Sequence, residues 1–223
     1  MKVEELELKI KALENQVRTL QDIYEIERLQ RAYGYYLEHW MSREIIDLFS
    51  DDPGVVLEFS GEGRFLGKEG VTRYFTHADM EPELFHQMMQ LSGIVDVDPD
   101  GKTAKGRWYG YGKQALPEGG GVHQVCMSGI YEVDYIKEGG VWKIKILHWN
   151  TISYYRPKEG FVKPERIDAV DLRFPHVLAK PDSLPENPIT SYPSGYIFPF
   201  HYEHPVTGKE TSERAWNASL KDR

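Results

Sequence analysis

Cysteine is nearly missing from this chain, Cys126 being the only one. That excludes an internal disulfide and any multi-cysteine metal site. Cys126 itself lies in a strand-like run and reads as an inert packed thiol. Positive charge is also scarce: 27 Lys and Arg face 35 Asp and Glu, a net charge of -8. With no basic stripe to concentrate what there is, neither nucleic acid nor an anionic membrane is expected as a partner. No apolar run is long enough to cross a bilayer. The first twenty residues are charged, so no secretory leader is expected and the reading is a cytoplasmic protein. Neither Gly-x-Gly-x-x-Gly, a phosphate loop nor a nucleophile elbow occurs. His201-Tyr202-Glu203-His204 has the residue types of a metal site but lies between Pro199 and Pro205 rather than on a helix. The expectation is therefore no cofactor and no metal.

What is present organises the chain into three parts. Val3, Leu6, Ile10, Leu13, Val17, Leu20 and Tyr24 repeat every 3.5 residues, with Glu, Lys, Gln and Arg between them. So narrow a stripe predicts an amphipathic helix over 1–22 that contacts another subunit or folds back on its own domain, the subunit contact being preferred. From residue 23 to 155 apolar periodicity shifts from helix to strand. Ile26, Leu29, Tyr33, Leu37 and Trp40 mark a helix with one buried face. A short helix with Ile45, Leu48 and Phe49, a strand over 55–59 and a helix over 68–75 follow. Strands are then expected over 91–98, 103–115, 122–136 and 141–153, with turns at Asp98-Pro99-Asp100-Gly101 and Lys137-Glu138-Gly139-Gly140. Gly106, Gly110 and Gly112 read as bulge or bend points. Helices followed by antiparallel strands predict an α+β cone, a curved sheet wrapped around a long helix. Over 156–223 the character changes again, since nine of the 13 prolines fall between Pro157 and Pro205 among seven Phe and Tyr residues. This predicts an extended arm that docks on the barrel, either closing its mouth or bracing the outside of the sheet.

Two stretches carry a resemblance. IERLQRAYGYYLEHWMSREIIDLFSDDPGVVLEFSGEGRFLGKEGVTRYF, residues 26–75, has the order helix, short helix, "LF-DD", strand, "G-x-E-G", helix. HQMMQLSGIVDVDPDGKTAKGRW, residues 86–108, has a histidine, a strand, a "DG-x-TA" hairpin and a returning strand. Together they resemble the SnoaL-like branch of the nuclear transport factor two superfamily, which includes scytalone dehydratase, ketosteroid isomerases, polyketide cyclases and cofactor-free lyases. The resemblance implies that Tyr33, His86 and His148 share acid–base work in the barrel interior. Trimers are common among related dehydratases, so it also implies a homo-oligomer, a trimer before a dimer. "DGKTAKGRW" and the long appendages are similar to the diarylpropane formaldehyde lyases. The family's common helix aspartate is absent, Glu38-His39 occupying its region.

Strand parity supplies the other candidates, because successive side chains face opposite ways. Trp142, Ile144 and Ile146 share an apolar face, and continuing the alternation places His148 and Asn150 on it. Val125, Met127, Tyr131 and Val133 share a face on the preceding strand, with His123 in the same parity. On 103–115, parity leaves open whether Arg107 and Tyr109 or the alternate residues point inward. The candidate catalytic residues are thus Tyr33, His86, Arg107 and His148. Tyr36, Met88, Tyr109, His123, Met127, Tyr131 and Asn150 are candidates for binding substrate. Glu58 and Glu62 flank a turn and read as solvated. This set suits a neutral, hydroxylated aromatic ligand. The first functional expectation is a cofactor-independent lyase of dehydration or deformylation type, acting on such a compound, a lignin-derived diarylpropane among them. An isomerase or cyclase, which needs a cavity carboxylate, and a non-catalytic binding module are the alternatives.

Overall fold

The computed structural model describes residues 3–78, 84–118, 121–157, 181–184, 186, 196, 199, 201, 210 and 213–220. Helix α1 runs unbroken from Val3 to Glu38. The two helical patterns of the sequence are therefore one rod, about 54 Å long at 1.5 Å per residue. Its last turns bury Asp22, Ile26, Gln30, Tyr33, Gly34 and Leu37, whereas residues 3–21 are all exposed. Trp40 then takes φ 52°, the left-handed turn that ends the helix. Helix α2 (Ser42–Asp47), strands β1 (Val56–Phe59) and β2 (Gly63–Leu66) and helix α3 (Gly67–Phe75) follow, and a 3₁₀ turn at Thr76–Ala78 closes the first half. Strands β3 (Phe85–Val97), β4 (Thr103–Glu118), β5 (Gly121–Glu138) and β6 (Val141–Tyr155) form the second half. A short helix α4 spans Glu213–Leu220. No helix among the described residues is long and apolar enough to cross a membrane.

The six strands form one sheet in the order β2-β1-β6-β5-β4-β3. β1 runs parallel to β6 and the other pairs are antiparallel. β2 and β3 do not pair with each other, so the sheet is an open cone rather than a closed barrel. Its concave face holds the second half of α1, with α2 and α3 against it, in one hydrophobic core. This is the α+β architecture expected from the sequence.

Two features give the sheet its curvature. Bulges occur at Ser92–Gly93 in β3, at Lys145 in β6, where Asp134 pairs Ile146 but Tyr135 pairs Ile144, and again at Ile152. The β4 glycines are not bulges, contrary to the sequence reading. They are places where another part of the core crosses the backbone. A Cβ on Gly110 would lie 2.4 Å from the Trp149 ring, and one on Gly112 would lie 1.8 Å from the Gln87 carbonyl oxygen.

Polar clamps fix α1 in the cone. Asp22, 2% exposed, accepts from the Lys137 ammonium and, at 2.9 Å, from the Trp142 indole N–H. Further along, Trp108 donates to the Tyr135 hydroxyl (3.1 Å), Tyr135 to Gln30 Oε1 (2.7 Å), and Gln30 to Gln90 Oε1 (2.8 Å). The arm, expected over 156–223, lies largely outside the described residues. Its described contacts are with the edge of β2, with α3 and with the outer face of the sheet. Arg64 and Ser183 form an antiparallel bridge along the outer edge of β2, covering an otherwise unpaired strand edge. Asp182 accepts from Arg73 at 2.8 Å.

Removing the Asp22 carboxylate strands a buried indole N–H and a half-covered ammonium. Asp22→Leu is therefore expected to lower unfolding stability by about 2–4 kcal/mol in urea titration. The neighbouring exposed Gln21→Leu is expected to change it by less than about 0.5 kcal/mol.

Candidate active site

Between the end of α1, α3 and the concave face of β3–β6 lies a cavity of about 90 Å³. That is room for several waters or one small ring system. Its lining is mostly aromatic and aliphatic, with a few polar groups: Tyr33, Glu62, Tyr74, His77, His86, Gln114, Tyr131 and Tyr154.

Tyr33 projects from the buried stripe of α1 into the cluster of Phe49, Phe75 and Tyr131, each meeting it edge-on at 5.9–6.5 Å between ring centroids. The residue is fully buried, and among the described residues its hydroxyl has no partner in hydrogen-bonding geometry. Burial raises the pKa values of both Tyr33 and Tyr131, with Tyr131 pushed beyond the usual phenol range. The Tyr131 hydroxyl is near enough to add to the raised pKa of Tyr33. Both hydroxyls therefore keep their protons at any ordinary pH and can only be hydrogen-bond donors or acceptors. A buried polar atom without a partner is uncommon in native proteins, and one lining a cavity fits a site waiting for a ligand's oxygen.

Two histidines flank Trp40, His77 at 5.3 Å and His86 at 5.5 Å between ring centroids. Trp40 is itself held by its indole N–H, which donates to the Phe75 carbonyl at 2.7 Å. His77 stands on the 3₁₀ turn after α3, with Nδ1 on the carbonyl oxygen of Tyr74. A carbonyl can only accept, so Nδ1 carries the proton and Nε2 is the basic nitrogen. Desolvation lowers the His77 pKa, which keeps that nitrogen unprotonated. His86 comes from the start of β3, opposite Gln114 on β4. The Gln114 amide donates to its ring at 2.9 Å from Nδ1, and Gln114 Oε1 accepts from Tyr154 at 3.3 Å. Part of the ring stays accessible, yet the enclosing protein desolvates it and pushes its pKa down to about 3. His86 is a neutral polar group.

Of the residues singled out by sequence, Tyr33, His86, Met88, Met127 and Tyr131 line this cavity, and His148, Arg107, Tyr36, Tyr109, His123 and Asn150 do not. His148 and Asn150 were expected inside by extending the parity of Trp142 and Ile144. The bulge at Lys145 shifts that parity by one residue, so Leu147 and Trp149 point inward instead. His148 faces outward, 3.6 Å from the Glu58 carboxylate. Glu58, read as solvated, is 2% exposed and also meets Arg64 at 3.3 Å. Arg107 and Tyr109 lie on the outer face of β4, because Ala104, Trp108, Gln114 and Leu116 take the inner one. There Arg107 pairs with Glu132 at 2.7 Å and donates to the Pro199 carbonyl at 3.0 Å, anchoring the arm. His201 of the suspected metal motif meets Glu132 at 3.1 Å and Asp96 at 3.3 Å. The rest of that motif lies outside the described residues. Tyr36 is partly buried beside the core, Tyr109 is 55% exposed, and His123 sits near the start of β5.

Sequence reading missed His77, Gln114 and Glu62. His77 follows α3 directly in RYFTHADM, and a polar ring just after an amphipathic helix is too common to stand out. Glu62, read as solvated, lines the cavity, and the pKa of Tyr74 is raised first by burial and then by the Glu62 charge.

The open cone of sheet around a helix thus encloses an aromatic cavity with a few convergent polar groups. The SnoaL-like domain model matches residues 18–148, and the chain belongs to that family. Solved structures share the fold. A candidate scytalone dehydratase from Novosphingobium aromaticivorans DSM 12444 is 16% identical with a TM-score of 0.54, over 77% of this chain and 99% of that one. A candidate aromatic ring hydroxylase from Novosphingobium aromaticivorans is 19% identical with a TM-score of 0.53, over 63% and 96%. A hexachlorocyclohexane dehydrochlorinase, LinA type 2, is 16% identical with a TM-score of 0.53, over 68% and 99%. At such identities the likeness is one of fold. No curated protein matches the chain significantly.

The depressed pKa of His86 has a consequence for stability. The folded state holds the ring neutral, while the unfolded chain takes up a proton below its ordinary value of 6.5. The contribution of this site is thus complete above about pH 6.5 and is lost as pH falls from there toward about 3. Between pH 7 and 5 the parent is expected to lose about 1–2 kcal/mol more unfolding stability than His86→Gln, measured by urea titration at each pH.

Proposed function

We propose that this protein is an enzyme acting on a small hydroxylated aromatic molecule, a lyase that eliminates water or formaldehyde by acid–base catalysis in the α1–β-sheet cavity. The observation that carries this is the juxtaposition of a buried, unpartnered Tyr33 hydroxyl with His77, whose basic nitrogen is set by a backbone carbonyl. In a dehydration, His77 Nε2 removes a carbon-bound proton and that electron pair forms the new double bond. The carbon–oxygen bond breaks on the adjacent carbon, and the departing hydroxide takes the proton back as water. Tyr33, held as a neutral phenol, donates to the oxygen on which charge develops. In the deformylation variant the proton comes from a hydroxymethyl oxygen. The carbon–carbon bond then breaks to release formaldehyde, and water leaves from the next carbon. His86, neutral and tied to Gln114, orients a substrate hydroxyl. The flat walls of Trp40, Tyr131 and Trp149 suit aromatic rings. A diaryl compound with hydroxymethyl groups, of the kind derived from lignin, offers the hydroxyls and rings for this chemistry, with one ring in the cavity of about 90 Å³ and the second at its mouth. The known elimination chemistry named for the dehydratase and dehydrochlorinase neighbours supports the same class. Arg107 and His148 enter this reading only as anchors on the outer face.

A second reading rests on Glu62. A carboxylate on the cavity is what an isomerase or cyclase of ketosteroid or polyketide type needs for moving a proton between carbons.

A panel of phenolic aromatic compounds, followed by mass spectrometry for loss of about 18 mass units (water) or about 48 (formaldehyde with water), tests the proposal. His77→Gln and His86→Phe are each expected to lower turnover by roughly 10²–10⁴-fold. Loss of activity in Glu62→Gln with His77→Gln unaffected transfers the chemistry to the second reading. Tyr33→Phe separates function from stability. Because the hydroxyl has no partner, the variant is expected to be as stable as the parent or up to about 1 kcal/mol more stable. Its turnover is nevertheless expected to fall by roughly 10²-fold or more. A fully active Tyr33→Phe removes the phenol from the mechanism.

A further inference from the structure

The first five turns of α1 take no part in the core among the described residues. Every residue from 3 to 21 is exposed, among them Val3 (70%), Leu13 (60%) and Leu20 (67%). The buried stripe of the same helix, through Asp22, Ile26, Gln30 and Tyr33, does not continue this row. At 100° per residue the two rows lie roughly 160° apart around the helix. The exposed row therefore faces away from the sheet that α1 packs on, and an unbroken helix cannot turn it round.

The sequence of that row says what covers it. Assigning Val3 to heptad position a places Val3, Ile10 and Val17 at a and Leu6, Leu13 and Leu20 at d. β-Branched residues at a with leucine at d favour two parallel strands over three or four. The flanking positions agree. Lys9 and Gln16 fall at g, and Glu14 and Gln21 at e. In a parallel pair each g residue meets the e residue five further along the other chain. Lys9 then meets Glu14 and Gln16 meets Gln21, both complementary. An antiparallel pair sets g against g and e against e, which opposes like charges. In the single chain Lys9 pairs with the exposed Glu5 at 3.3 Å, an ion pair weak enough to exchange. The helix is also already nucleated by its buried second half, which removes the main obstacle to a short coiled coil.

We propose that residues 3–24 form a parallel, two-stranded coiled coil with a second copy of this chain, making the protein a dimer with its two cones at one end of the stalk. This differs from the trimer that the family resemblance implies, and it does not depend on the reaction proposed above. Sedimentation equilibrium of the full chain is expected to give the mass of two chains. Leu13→Asp with Leu20→Asp, both on the exposed row, is expected to give the mass of one chain with the near-UV circular dichroism of the cone unchanged. Leu6→Cys tests orientation, because a parallel in-register pair brings the two copies of position 6 together whereas an antiparallel one sets position 6 near position 20. Mild oxidation is expected to link most of that variant through position 6, read by peptide mass against the parent with its half-buried Cys126. A native mass of one or three chains, a two-chain mass that survives the double substitution, or no link at position 6 each overturns the proposal.

Discussion

Everything in this protein depends on seating one helix in the concave face of a sheet. The second half of α1 supplies Ile26, Tyr33 and Leu37 to the core and is fixed in rotation by buried polar clamps at Asp22 and Gln30. Those clamps are directional, so they do more than apolar burial to set which residue faces where. With Gln30 tied through Gln90 and Tyr135 to two strands, Tyr33 one turn later can only point to the cavity. A sheet flat enough to avoid bulges would leave no cavity there.

The same curvature divides the polar residues between two faces with different duties. Inside, burial keeps the tyrosines protonated and the histidines neutral, which suits donors and bases for an uncharged ligand. Outside, ion pairs link Glu58 with Arg64 and His148, and Glu132 with Arg107 and His201. These groups bind the described parts of the arm to the sheet, and the charge that would be expensive to bury stays on the outer face. A histidine therefore means different things on the two faces: His86 is desolvated in the cavity, whereas His148 stands beside a carboxylate on the outer surface.

The helical stalk and the cavity answer to separate parts of the chain. Residues 3–21 contribute nothing to the core, and the cavity draws nothing from them. Apolar period alone distinguishes the halves of α1, a strict 3.5-residue row giving way to a differently oriented row where the sheet begins. Since the rod is continuous, any partner of the first half also fixes the position of the second.

The sequence by itself determined the elements and their order. Period-3.6 and period-2 apolar patterns are local properties, and they were sufficient for the helices, for most of the strands and for a curved sheet around a helix. Tyr33, Met127 and Tyr131 were legible as inward residues because each lies on an uninterrupted stretch of its pattern, whereas His86 was singled out by the family resemblance and, with Met88, precedes the strand expected over 91–98. His148 was not, because a single extra residue at Lys145 reverses the parity of everything beyond it. Whether a strand accommodates a bulge depends on its neighbours' register rather than on its own residues. Arg107 could be assigned to a face only once Trp108 was seen to fill the core. His77 and Gln114 became part of the site through tertiary contacts alone, one with the Tyr74 carbonyl and the other with the His86 ring, between residues on different elements or beyond the end of a helix. Local pattern chose the pieces, and strand register and core packing decided which side chains share a cavity.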